Sequence, residues 1–229
     1  MKTFCFLLFF TIILESCSSI YFAQPQPQGG ATLKSFPKEF QGSYIGEDKD
    51  TVYIKKNKYV YPEIFEKHIP MVKLDSLADV RIEDGLLFDD SIPTNKGIRF
   101  TITADTLHYR IKLNLSKFLS DSLVIKKHKG LLILNKKEKE ENYWKVYLIE
   151  KLNNDDLRLS TIGNFKTEET PNQKIKYDGV LEDFYSITRF QKIDTSKYLI
   201  NPTYKEFKKL LKKGLFAKWN EYKKIANKR

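Results

Sequence analysis

"DSLVIKKHKGLLIL", residues 121–134, is the stretch on which the reading of the fold turns. An Asp and a Ser precede three strand formers, a Lys-Lys-x-Lys turn and a second apolar run. A hairpin explains the order: Asp121 bonds its own backbone to start the first strand, and the lysines keep water at the tip. His128 falls in that tip and is expected to face solvent. Residues 50–61, "DTVYIKKNKYVY", repeat the design. Working outward, short runs rich in β-branched and aromatic residues occupy 51–54, 59–61, 98–103, 107–113, 123–125, 131–134, 143–149 and 157–159, with polar turns between them. The expected fold is mainly β, an antiparallel meander forming a barrel or sandwich, with a C-terminal α-helical segment, because many short strands protect their edges by closing or by being covered. Related Asp-Ser/Thr-apolar starts at Asp75 and Asp105 are too unevenly spaced for a propeller or solenoid.

The helical segment, 201–229, opens on Thr203 with Glu206 three residues later, a capping box. Phe207, Leu210, Leu211 and Leu215, then Trp219, Tyr222 and Ile225, form a helical stripe, and Gly214 reads as a C-cap, so two short helices or one kinked helix are expected. From Thr203 onward nine lysines and one arginine stand against Glu206 and Glu221, so +8 of the chain's net +11 lies in this segment. Lys208, Lys209, Lys212 and Lys213 are the residues that would touch an anionic surface. A helix that docks its stripe and leaves those lysines in water is the favoured alternative, since Phe207, Leu211 and Trp219 need burial more than lysines need a partner.

At the other end Lys2 precedes an apolar run at 4–14, too short to span a bilayer, and residues 1–16 read as a signal peptide. Leu14-Glu15-Ser16-Cys17 resembles the lipobox of bacterial lipoproteins, with Glu15 as the departure. The resemblance implies that Cys17 is the lipid attachment site and the mature N-terminus. Cysteine arithmetic agrees, since Cys5 leaves with the signal and Cys17 then has no disulfide partner. Cleavage near Ala23, discarding Cys17, is the alternative. Residues 17–35, with "QPQPQGG" at 24–30, read as a flexible tether, and 36–200 as a single β-meander domain.

Phe40-Gln41-Gly42-Ser43-Tyr44 resembles the entry to the first strand of small lipocalin-like meanders, with Tyr44 where a lipocalin has Trp. The run at 122–152 and the Gly214-Leu215-Phe216 of the tail are similar to a family of uncharacterised secreted bacterial lipoproteins. That resemblance implies a hairpin scaffold and a basic tail, and brings no chemistry.

Catalytic constellations are sparse. His68, His108 and His128 are scattered in sequence; Asp105 and His108 would point to opposite faces of one strand. Glu83-Asp84 and Asp89-Asp90 bracket an apolar run as two cleft carboxylates would, although turns are the commoner use of such pairs. Residues 153–156 read as a turn whose spacing misses a calcium loop. No catalytic residue, metal ligand or cofactor is assigned. The expected protein is lipid-anchored in the cell envelope, on the periplasmic face of the outer membrane. Its expected role is a binding or structural module, with the bilayer at Cys17 and an envelope protein as partners and no nucleic acid. A lipocalin-like carrier of an apolar ligand and an envelope hydrolase are the alternatives.

Overall fold

The computed structural model describes residues 19–138, 141–166, 179–194 and 197–225. The fold is mainly β, its strands paired almost throughout in antiparallel fashion, with a short C-terminal helix. The chain forms two compact units, one of residues 1–34 and 119–221, the other of 35–118 and 222–229. The single domain expected at 36–200 is therefore not how the chain divides: the second unit interrupts the first. Hairpin signals are local and carry no information about which distant strands they join.

In the first unit the strand Trp144–Lys151 is the hub. One edge pairs along its length with Leu131–Lys137, beyond which lie Leu123–His128 and the two-residue strand Thr32–Leu33. The other edge is shared: its end pairs with Leu157–Thr161, and its start, at Trp144, with Phe22 of the strand Ser19–Phe22. That first strand continues the sheet by parallel pairing with Lys197–Ile200, Ser19 beside Lys197 and Phe22 beside Ile200.

Residues 19–33 are thus built into the sheet, and the expected tether is corrected. Ser19–Phe22 is covered on both faces, which is why "SIYF" shows no alternation and is hard to tell from the end of a signal sequence. Phe22 is completely buried, edge-on to Phe207 at 6.2 Å and stacked on Phe216 at 6.4 Å. Such aromatic pairs add about 0.5–1.5 kcal/mol each beyond the area they bury.

The prolines at 25 and 27 remove backbone donors and leave carbonyls exposed to whatever packs on them. The buried Lys126 ammonium donates to Pro25 O at 3.1 Å and Pro27 O at 2.8 Å, and the buried Asn135 amide takes Gln26 N at 2.6 Å and gives to Gln26 O at 3.0 Å.

Thr203 and Glu206 form the expected capping box, the helix Tyr204–Lys213 buries Phe207 and Leu210, and Gly214 ends it at φ 85° in the left-handed region. Among the described residues no second helix forms beyond Gly214. Residues Lys218–Lys224 are a strand; at its start the Arg158 guanidinium sits 5.0 Å above Trp219 and pairs with Glu221 at 2.9 Å, and at its end Lys223 and Lys224 pair with Ile45 and Tyr44. Strand pairing satisfies the backbone of this segment. A helix of that length would have little intrinsic stability.

In the second unit the strands Lys58–Pro70 and Thr106–Phe118 pair over all thirteen residues, a ribbon about 40 Å long. Thr51–Ile54 and Gly42–Ile45 extend it on one side, Thr101–Thr103 on the other. Alternation is regular: Ile69, Leu107 and Tyr109 lie buried on one face, while Glu66, Arg110 and Lys112 are on the other, accessible to water. The hairpin of Val80–Glu83 and Leu86–Asp89 packs Val80 and Leu87 into the same core. Two two-residue turns here, at Asp84–Gly85 and Ala104–Asp105, like Lys129–Gly130 in the first unit, have both residues at positive φ, the twist that closes tight hairpins. Tyr44 is fully buried, its ring 3.3 Å from where a Cβ on Gly42 would stand and its hydroxyl donating to Phe40 O at 3.0 Å, so the Gly-x-Tyr entry is an aromatic folded over a glycine. Neither unit's strand order returns to its start among the described residues.

Removing residues 18–30 discriminates tether from strand. A tether would be dispensable; here the deletion should abolish cooperative unfolding of the first unit in thermal circular dichroism, and Phe22→Ala alone should cost about 3–5 kcal/mol in chemical denaturation.

Candidate functional site

Asp89 is a strongly perturbed carboxyl group. Strand alternation turns it inward at the end of Leu86–Asp89, where its side chain is fully buried. The ribbon meets it with Lys67 and Tyr109, which stand directly opposite each other. Lys67 Nζ donates to Oδ2 at 2.7 Å and Tyr109 Oη donates to the same oxygen at 2.5 Å. Ser91, two residues on, gives Oδ1 its backbone N–H at 2.9 Å and its hydroxyl at 2.5 Å, and accepts from Lys67 Nζ at 2.8 Å. Burial alone would raise the carboxyl; the hydrogen bonds from Lys67, then Ser91 and Tyr109, overrule it and hold it at about 2. Tyr109 is driven upward by burial and by the neighbouring carboxylate.

A carboxylate held so low is a poor proton acceptor at neutral pH, and Lys67 is already committed to it. The cluster therefore works as a clamp between hairpin and ribbon rather than as a Ser-Lys or carboxylate catalyst. The acid pairs do not face one cleft. Asp84 occupies the hairpin turn, and Glu83 and Asp90 both bind Arg81 at 2.9 Å on the exposed surface.

Strand register, which sequence spacing hides, brings two histidines together. His68 and His108 are direct cross-strand neighbours, their Nδ1 atoms 2.7 Å apart on the exposed face of the ribbon. Glu66, two residues before His68 on that face, places Oε1 3.5 Å from His68 Nε2 and Oε2 3.6 Å from Arg110 Nε. Asp105 takes no part, being in the turn that starts the strand. The clue available in the sequence was the similar alternation of two distant runs.

His128 corrects the expectation of an exposed tip. The turn is Lys129–Gly130, so His128 pairs with Leu131 inside the strand and is 8% exposed. Its Nδ1 is 3.0 Å from the Tyr204 hydroxyl, and burial, then Lys129 and Lys208, lower its pKa. Lys126 is likewise a strand residue, and burial lowers its pKa too.

The four lysines expected at an anionic surface all belong to the C-terminal helix but differ in use. Lys208 lies 5.3 Å over the Tyr204 ring, and Lys213 donates to Asp183 O at 2.6 Å. Lys209 and Lys212 are exposed. Near the helix start an open groove of about 410 Å³ is lined by Tyr185, Ile187, Arg189, Phe190 and Glu206. Among the described residues no group of three or more His, Cys, Asp or Glu side chains is disposed around one metal ion. Cys17 lies outside the described residues. Compared with protein-family models, curated proteins and solved structures, the chain finds no match in any of the three.

Because Asp89 is held below its unfolded value, its contribution is complete above pH 4 and is lost as the pH falls toward 2. The contribution is about 2 kcal/mol. Asp89→Asn should destabilise the second unit by at least that much at pH 7 and flatten the pH 4 to 2 slope, as read by denaturant titration at each pH. Replacing Lys208, Lys209, Lys212 and Lys213 together by Gln should change stability by less than about 1 kcal/mol, whereas Phe207→Asp should cost several.

Proposed function

We propose that the chain is a bacterial envelope lipoprotein, acylated at Cys17, that acts as a binding or structural module held on the periplasmic face of the outer membrane. The observation that carries this reading is that the strand Ser19–Phe22, buried from Ile20 onward, is built into the first unit and starts two residues after Cys17. Two residues reach about 7 Å, so an acyl chain on Cys17 leaves almost no slack between fold and lipid. The first unit then stands on the bilayer surface itself.

Mechanically this suits a module that must present one orientation, since a parallel strand pair and the Asn135 and Lys126 contacts fix the chain for its first fifteen described residues. Several acyl chains, at about 0.8 kcal/mol per buried methylene, make the attachment stable. The capping helix adds no competing anchor, because its apolar side is spent on Phe22 and Phe216.

Cys17→Ala should yield a soluble protein without fatty-acid label; a variant that still fractionates with membranes and takes up acyl label overturns the reading. Protease added to intact cells should spare the wild type. A spacer of about twenty Gly and Ser residues inserted after Ser18 should keep the label and the fold. Energy transfer from a dye in the first unit to a membrane dye should drop with the spacer in place.

A further inference from the structure

The chain has only three histidines, and its register sets two of them face to face. We propose that His68 and His108 chelate one nitrogen-preferring divalent transition ion of the copper, nickel and zinc class on the exposed face of the ribbon, with Glu66 orienting His68 from behind. This site is in the second unit and does not depend on where or how the chain is anchored.

The geometry supplies the argument. An ion about 2.0–2.1 Å from each of two nitrogens holds them about 3 Å apart, and the two Nδ1 atoms stand 2.7 Å apart, so small rotations of exposed rings complete the bite. A metal-bound imidazole characteristically gives its other N–H to a carboxylate, and Glu66 Oε1 lies 3.5 Å from His68 Nε2. A His68 proton on Nε2 faces that carboxylate and leaves the Nδ1 lone pair directed at His108. Without metal, His108 Nδ1–H donates to that lone pair; with metal, the His108 proton moves through solvent to its own Nε2, and both Nδ1 lone pairs bind the ion.

Electrostatics allow a cation there. Arg110, on the same face, lies against the far oxygen of Glu66, 3.6 Å away, so the carboxylate stands between it and His68. The pair is exposed, so water or a donor from another molecule can fill the remaining coordination positions. Imidazole nitrogen as the donor set favours copper over nickel and zinc.

The test is titration of the full chain, purified in detergent, with Cu²⁺ alone in a buffer that does not bind metal, read by electron paramagnetic resonance. One ion per chain with hyperfine coupling to two nitrogens is expected. His68→Ala and His108→Ala should each weaken binding by at least about tenfold and remove one nitrogen from the spectrum. His128→Ala, in the other unit, should change neither. Glu66→Gln should keep the two-nitrogen spectrum and weaken binding by about tenfold, within the range seen when a second ligand shell is altered. Circular dichroism confirms that each variant is folded. Copper bound equally by the His68→Ala/His108→Ala double variant, loss of the signal in His128→Ala, or no binding at tens of micromolar would each overturn the site. An unchanged affinity in Glu66→Gln would overturn the orienting role alone.

Discussion

Burial of Phe22 is the constraint on which the first unit rests. Its strand fills the gap between Trp144–Lys151 and Lys197–Ile200, and its ring is where the C-terminal helix and the residues after it converge. Without that strand the branch Lys197–Ile200 would present an unpaired edge, and Phe207 and Phe216 would lose a shared partner. The parallel pairing also explains why both faces of a four-residue strand are apolar: neither is left to water.

Buried polar groups divide the labour between the units. In the second, Asp89 gathers four donors and ties a hairpin to a ribbon that is otherwise only two strands wide along its middle. In the first, Lys126 and Asn135 use the carbonyls and the one amide of a proline-rich segment that cannot make a ladder of its own. Each network specifies a single docking position where apolar contact would tolerate sliding, and each is satisfied almost completely, which is what makes burial of such groups tolerable.

Much of the meander was legible in the sequence because it is local. The hairpins at 51–70 and 123–137, the capping box at Thr203 and the stop at Gly214 are set by residues within a few positions of one another. The tip of the second hairpin was expected too early in the chain, on the lysines, whereas Gly130 is the residue that a turn with two positive φ angles requires; Lys126 and His128 are strand residues. "SIYF" was unreadable as a strand because it lacks alternation, and Trp219, Tyr222 and Ile225 fit a helical period by spacing alone while distant strand partners, Gly42–Ile45 for the end of the segment, decided otherwise. The histidine pair was hidden for the same reason: forty residues separate its members, and only the pairing of two whole strands reveals them as neighbours.

The partnership of Ser19–Phe22 with Lys197–Ile200 also orders events in time. A chain that emerges N-terminus first presents its opening strand at once, but the strand that flanks it arrives only when nearly everything else has emerged. The interposed residues 35–118 contain the long ribbon and its hairpin entire, so they can settle while the first unit is still waiting for its last strands. Closing so long a loop adds little to the equilibrium cost, because loop entropy grows only logarithmically, yet it delays the rate at which the first unit forms. During that interval "SIYF" is an unpaired apolar strand, the part of the nascent molecule most in need of shelter.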